Sequence, residues 1–256
     1  MRRVAVKIAY LGEDFAGSQI QPGLRTAEGD VSSDLKRISG YGDETINLKC
    51  ASRTDRGVNA LGNVVVFNTS FDDNAELMRA LNAVSKSVYY RSIADVGGDF
   101  NPRHADERVY MYILPSAGSD ADLVKRCAAL FEGEHDFVRF CKADERPTRT
   151  EMRSVKVSDA GGAFDIEFRS EYFLWNQIRR IAAAISAVGL GTRGLDDVKR
   201  ALKGDDITFG TARADALTLI DVIYNDVEFM TADTYAQRAD EERFKVMIKQ
   251  AFFCSL

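Results

Sequence analysis

Residues 49–69, KCASRTDRGVNALGNVVVFNT, read as a strand, a loop and a second strand. Residues 46–51 end in an abrupt polar turn, and residues 62–69 resume as a β-branched and aromatic run. Between them stand Arg53, Thr54, Asp55, Arg56, Gly57 and Asn59. A plain hairpin needs no such set of charges. The set suits a single carboxylate held among cations just outside a sheet, where opposite charge favours the ionised form. An ionised carboxylate in that setting can serve as a nucleophile. The same residues also read as an ordinary turn with a capped Asp and solvated arginines. Gly57 and Gly62 serve loop geometry on either reading.

Outward from this loop the chain shows one pattern twice. Residues 3–10 alternate as a strand, and residues 11–22 form a loop carrying Phe15, Gln19 and Gln21. Val31, Leu35 and Ile38 space a helix that stops at Gly40. The two strands around Asp55 follow. Asn74 is the expected N-cap of a helix with Leu77, Leu81 and Val84 on one face, and residues 88–96 return as a strand. In the second half, residues 108–115 are a strand, and Ser119 is the expected cap of a helix bearing Leu123, Cys127 and Leu130. After a polar loop, residues 154–159 and 164–170 form a hairpin through Gly161-Gly162. A long helix over 173–189, a short one over 195–202 and a strand over 217–224 complete the unit. The tail over 231–252 reads as an amphipathic helix with Phe244, Met247, Ile248 and Phe252 as its apolar positions.

Two strand-helix-strand-strand-helix-strand units predict an α+β protein of two ferredoxin-like halves. The expected divisions are 1–104, which carries the Asp loop, 105–228, and a helical extension over 229–256. The two sheets are expected side by side with a cleft between them, where binding sites commonly form.

The stretch SRTDRGVNALGNVVVF (52–67) resembles the signature loop of the tRNA pseudouridine synthase A family, GRTDAGVHA followed by a strand. Four further segments resemble the family in the same order: YLGEDFAGSQIQ (10–21), FNPR (100–103) with RVYMY (108–112), FEGEHDF (131–137), and FLWNQIRRI (173–181). Ser52, Arg56 and Asn59 stand where the family usually has Gly, Ala and His, which marks a divergent branch. The resemblance implies the pseudouridine synthase fold, with a central mixed sheet and the active site between the halves. It also implies isomerisation of uridine on the 3′ side of the tRNA anticodon stem-loop, a homodimer, and no cofactor. The reaction breaks the bond from C1′ to N1, turns the base and joins C1′ to C5, so no redox step or group carrier is needed.

Under that resemblance Asp55 is the nucleophile, as one carboxylate is in retaining glycosidases. The loop offers only one carboxylate, which suits a leaving group that departs as a delocalised anion. Arg179, beside the apolar stripe Leu174, Ile178, Ile181 and Ile185, is the arginine that pairs with it. Tyr110 is the aromatic on which the turned base stacks, and Tyr112, on the same strand face, is expected in the core. Arg53 fills the space vacated by an extruded uridine. Arg56 borders the same site. Arg103, Arg108, Lys142, Arg146 and Arg149 suit phosphate contacts, and His135 lies in a family segment as a structural residue.

Composition limits the alternatives. The chain has 256 residues, 45% of them hydrophobic, enough for a sizeable core, and a net charge of −5. That charge opposes indiscriminate coating of nucleic acid, whose affinity comes from phosphate neutralisation. It allows a local basic cleft, since arginines and acids segregate along the chain. Four scattered cysteines (Cys50, Cys127, Cys141, Cys254) and two histidines exclude a zinc or disulfide framework and suit a reducing cytoplasm. No run has membrane-spanning length, and the N-terminus alternates as a strand and not as a signal peptide. A tandem RNA-binding protein without catalysis is one alternative, and it predicts that Asp55 is dispensable. A nucleoside or sugar hydrolase is another, and it requires a second acid near Asp55.

Overall fold

The computed structural model describes the chain except residues 145, 233, 255 and 256, and the side chains of 250–254, so the expected apolar position Phe252 lies outside the described residues. The first half runs β1 (Arg2–Tyr10), α1 (Ala27–Ser39), α2 (Asp43–Ile46), β2 (Lys49–Cys50), β3 (Asn59–Thr69), α3 (Asn74–Val84) and β4 (Tyr89–Val96). The second runs β5 (Glu107–Pro115), α4 (Ala121–Ala129), β6 (Gly133–Asp136), β7 (Arg149–Met152), β8 (Ser154–Asp159), β9 (Ala163–Ser170), α5 (Gln177–Gly189), α6 (Leu195–Leu202) and β10 (Leu217–Ile223). β11 (Met230–Thr231) and α7 (Ala236–Cys254) follow.

Each half orders its strands in the ferredoxin-like way. β4, β1 and β3 are neighbours with β2 on the far edge of β3, and β10, β5, β9 and β8 repeat that order. The two sheets expected side by side are joined edge to edge into one mixed sheet. The joint is short: Thr218 and Leu219 of β10 pair in parallel with Asn59 and Ala60 of β3. Farther along the same edge of β3, Val65 and Val66 pair with Cys50 and Lys49 of β2. Residues 51–58 leave the sheet in the gap between these partners, at its middle. The topology therefore puts the Asp55 loop at the seam between the halves.

Local chemistry accounts for the departures from the expected elements. The strand expected over 46–51 is cut to two residues, because Asn47 adopts the left-handed conformation (φ 47°) and ends α2 with Ile46 buried beneath it. α3 is capped by Asp73, one residue before the expected Asn74, through a 2.7 Å bond from the Glu76 N–H. α4 is capped by Asp120 and not Ser119, with bonds from the Asp122 and Leu123 N–H groups at 2.9 and 3.0 Å. A carboxylate at either helix start also meets the positive end of the helix dipole. The polar loop of the second half holds the unanticipated hairpin of β6 and β7. Thr231 belongs to β11, paired with β4, and the tail helix starts later, at Ala236.

The core is continuous across the seam. Val64, Val65, Val66 and Phe67 of β3 are buried, as are Ile166 and Phe168 of β9 and Ile181, Ala184 and Ile185 of α5. α4 packs on α5, and α1 packs on α3. Among the described residues, no helix is long and apolar enough to cross a membrane.

Candidate active site

The Asp55 loop is built from behind by side chains that bond its backbone. Asn63 of β3 is fully buried. Its amide nitrogen donates to the Ser52 carbonyl at 2.9 Å, and its amide oxygen accepts from the Ser52 N–H at 3.2 Å. The Ser18 hydroxyl accepts from the Thr54 N–H at 2.7 Å, and the Tyr10 hydroxyl meets that of Thr54 at 2.9 Å. Burial pushes the Tyr10 hydroxyl well above its usual range, so it works as a neutral hydrogen-bonding group. The Val58 N–H then closes a turn onto the Asp55 carbonyl at 3.1 Å, with Gly57 in the left-handed region (φ 84°). Gly12 lies against this turn: a Cβ there would fall 2.3 Å from the Gly57 carbonyl carbon. These contacts fix the loop on two strands, β1 and β3, and on the first loop of the chain.

Arg108 completes the frame. It was expected to meet phosphate, but it is only 7% exposed. Its guanidinium donates to the Ser52 hydroxyl at 3.0 Å, to the Arg103 carbonyl at 2.9 Å, to the Ala51 carbonyl at 3.3 Å, and to the Glu171 carbonyl. Three segments that meet at the seam are thereby tied to β5. The planar fork of donors suits Arg to this task, which a lysine would perform poorly.

Asp55 faces a cavity of about 1260 Å³ at the seam. Its carboxylate is held at both oxygens. Arg179 lies 3.4 Å from Oδ2, and the Trp175 indole N–H donates to Oδ1 at 3.2 Å. Arg179 is itself aimed by its Nε–H to the Ala212 carbonyl (2.8 Å) and by Nη1 to Asn176 Oδ1 (3.1 Å). The helix expected from Phe173 begins only at Gln177, because Asn176 is left-handed (φ 60°) and the Gln177 side chain accepts from the Leu174 N–H at 2.8 Å. That late start leaves Phe173 and Trp175 free to line the cavity.

Tyr110 forms part of the cavity wall, 7% exposed, with its ring edge-on to Phe173 at 5.2 Å between centroids. Burial raises its hydroxyl well above the usual range and Asp55 adds to this, while Arg108 opposes it, so the phenol is neutral. Among the described residues that hydroxyl has no hydrogen-bond partner. Tyr112 is buried in the core. The Cys50 thiol beside the loop is pushed up to about 12 by burial, which keeps it protonated at neutral pH.

Arg53, Arg56 and Arg103 are exposed and border the same cavity. Arg146 borders it too, in a 2.6 Å ion pair with Asp144. Lys142 stands over the Trp175 ring at 3.8 Å, so its charge braces the indole. Arg149 pairs with Glu134 at 3.5 Å on the β6–β7 hairpin and is not on the cavity wall. His135 bonds the Glu132 carbonyl at 2.9 Å, a structural contact. Trp175, Asn176 and Asn63 were not singled out from the sequence. The signal for Trp175 was its place two residues ahead of the helix that carries Arg179, because an indole N–H near a site needs an acceptor.

A family model described as tRNA pseudouridine synthase matches residues 127–225. The tRNA pseudouridine synthase A of Pyrococcus abyssi is 39% identical over 98% of this chain and 96% of its own length. That of Pyrococcus horikoshii is 39% identical over 98% and 97%, and that of Thermococcus sibiricus 39% identical over 95% and 94%. With the two-half sheet, the carboxylate at its seam and relatives matched over nearly their full length, the chain belongs to the tRNA pseudouridine synthase A family and is an enzyme of tRNA pseudouridylation.

Proposed function

We propose that this enzyme converts uridine to pseudouridine on the 3′ side of the tRNA anticodon stem-loop, with Asp55 as nucleophile and without a cofactor. The observation that carries the reading is one carboxylate on the wall of a cavity roomy enough to admit a nucleotide, tethered by Arg179 and Trp175 beside the buried Tyr110. The uridine is extruded from the RNA and enters the cavity, and Arg53 occupies the space it leaves. Asp55 attacks the ribose at C1′ or the base at C6. The bond from C1′ to N1 breaks, and the uracil anion turns while stacked on Tyr110. C1′ then joins C5, C5 loses its proton, N1 gains one, and the carboxylate is released. The product is an isomer of the substrate, so the balance requires no oxidant and no donor group. The neutral Tyr110 hydroxyl, which has no partner among the described residues, is available to the base.

The same reading expects a homodimer in the cytoplasm, and one surface feature favours the dimer. Phe244, Met247 and Ile248 of α7 are exposed together, and an apolar face of that kind favours burial against a second copy. The substrate assignment is tested by converting each uridine on the 3′ side of the anticodon stem-loop to cytidine in a tRNA transcript. Pseudouridine formation should disappear with the uridines in that arm and persist after uridines elsewhere are changed. Modification confined to another arm would overturn the assignment.

A further inference from the structure

Next to the uridine cavity lies a second, smaller one of about 280 Å³. Arg53 and Arg103 line both, and Lys49 lines only the smaller. These three cations come from different segments: β2, the Asp55 loop and the stretch before β5. They converge on one space, although the chain carries a net charge of −5. Among the described residues, none of the three side chains makes an ion pair or a side-chain hydrogen bond. Other cations on the sheet are matched: Lys7 pairs with Asp221 at 2.5 Å and Arg169 with Glu107 at 2.9 Å. The one acid on the wall is Glu28, and its Oε2 already accepts from the Ile20 N–H at 3.2 Å. Three cations against one carboxylate leave the space with an excess of positive charge. The carbonyl of Arg103 is gripped by Arg108 at 2.9 Å, so its position is fixed while its guanidinium stays free. The excess positive charge favours a further anion, and the volume suits a phosphate with part of a ribose.

We infer that this second cavity binds the backbone phosphate of a nucleotide adjoining the extruded uridine, with Lys49 and Arg103 as its ligands. The inference rests on the proposed activity for the identity of the RNA. A phosphodiester is favoured over a free anion because the cavity opens beside the one that takes the nucleoside, and the two share Arg53. Phosphate contacts of this kind fix register without reading sequence. Anchoring the strand next to the uridine would present each candidate uridine to Asp55 at one distance, whichever bases flank it.

The test is the salt dependence of tRNA binding by wild type, Lys49→Ala, Arg103→Ala and the double variant. Both side chains are exposed, so neither change threatens the fold. Because two cations share one phosphate, the double variant should lower the slope of log K against log salt by about 1, and not by about 2. An anticodon stem-loop with a single methylphosphonate on one side of the target uridine should lower the wild-type slope by the same amount. It should leave the double variant unmoved, since the two changes remove one interaction. Equal weakening of wild type and double variant by both flanking methylphosphonates, or an unchanged slope in the double variant, would overturn the inference. Wild-type isomerase activity on the unsubstituted RNA is measured alongside. Its absence would remove the activity while the binding data still decide the pocket.

Discussion

Substituting Gly12 by alanine should disable catalysis from outside the cavity. Gly12 touches no part of the substrate space, and its φ lies outside the left-handed region, so alanine there carries no backbone strain. An added Cβ would nevertheless stand 2.3 Å from the Gly57 carbonyl carbon, 2.5 Å from the Gly57 oxygen and 2.5 Å from the Val58 carbonyl carbon. Ordinary contact begins at 3.4 Å, so the turn behind Asp55 must withdraw by 3.4 − 2.3, or 1.1 Å. The atoms in the way are backbone and cannot rotate aside. A displacement of about 1 Å in a catalytic group can lower the rate by about 10²-fold. Overpacking of this kind costs about 1–3 kcal/mol of stability, which an enzyme with a core of this size survives. The assay is single-turnover release of tritium from C5-labelled uridine in tRNA at saturating enzyme, with tRNA affinity and thermal unfolding measured on the same preparation. The expected result is a rate reduced by about 10²-fold with affinity within about threefold, because Arg53 and Arg103 remain exposed to the RNA. A folded Gly12→Ala protein within about threefold of the wild-type rate would refute the claim that this close approach sets the position of Asp55.

Three further outcomes follow from the same geometry. Asn63→Ala leaves the buried Ser52 N–H without its partner and the Ser52 carbonyl with only the Cys50 thiol, 3.4 Å away, and should cost about 1–3 kcal/mol by urea denaturation for the unsatisfied N–H. Trp175→Phe keeps a ring under Lys142 but removes the N–H that holds Asp55 Oδ1, and the side chain is 43% exposed. The rate at saturating tRNA should fall by about tenfold with the melting temperature nearly unchanged, as expected for loss of one hydrogen bond to a charged group. Asp34 lies under Tyr90, whose hydroxyl donates to Oδ2 at 3.0 Å, and burial raises its pKa above 3.8. A raised folded-state value means that the native state holds this proton more tightly than the unfolded chain, so ionisation at neutral pH destabilises the fold. Relative to Asp34→Asn, wild type should gain stability as pH falls through the raised value toward 3.8, measured by urea denaturation across that interval.

The elements were legible where the signal is local. β1 alternates, α1 carries Val31, Leu35 and Ile38 at helical spacing, and the β8–β9 hairpin turns on two glycines. The double α+β repeat followed from their order. The seam did not, because the pairing of β3 with β10 involves two residues on each strand separated by more than 150 positions, and no local pattern encodes it. Asp55 stood out by the charges around it, Arg179 and Tyr110 were named through the resemblance, and all three line one cavity. Arg108 was misjudged because an arginine next to an aromatic strand reads as a surface cation. Its burial depends on the carbonyls of Ala51 and Glu171 from distant segments, together with that of Arg103 five residues upstream. Asn63 sits within a run that reads simply as strand, yet its side chain holds Ser52 across the sheet edge. Asn176 ends the helix early in a left-handed turn, and its amide aligns Arg179, a role that periodicity cannot express.

The central claim is that Asp55 is the nucleophile of a uridine isomerase, and tritium release from tRNA labelled at C5 of uridine, comparing wild type with Asp55→Asn, tests it most directly. Asparagine keeps the shape and an acceptor for the Trp175 N–H while removing the nucleophilic charge. Release by wild type, none by the variant and tRNA binding retained by both is the predicted result. Release by the variant at a rate near that of wild type would contradict the account.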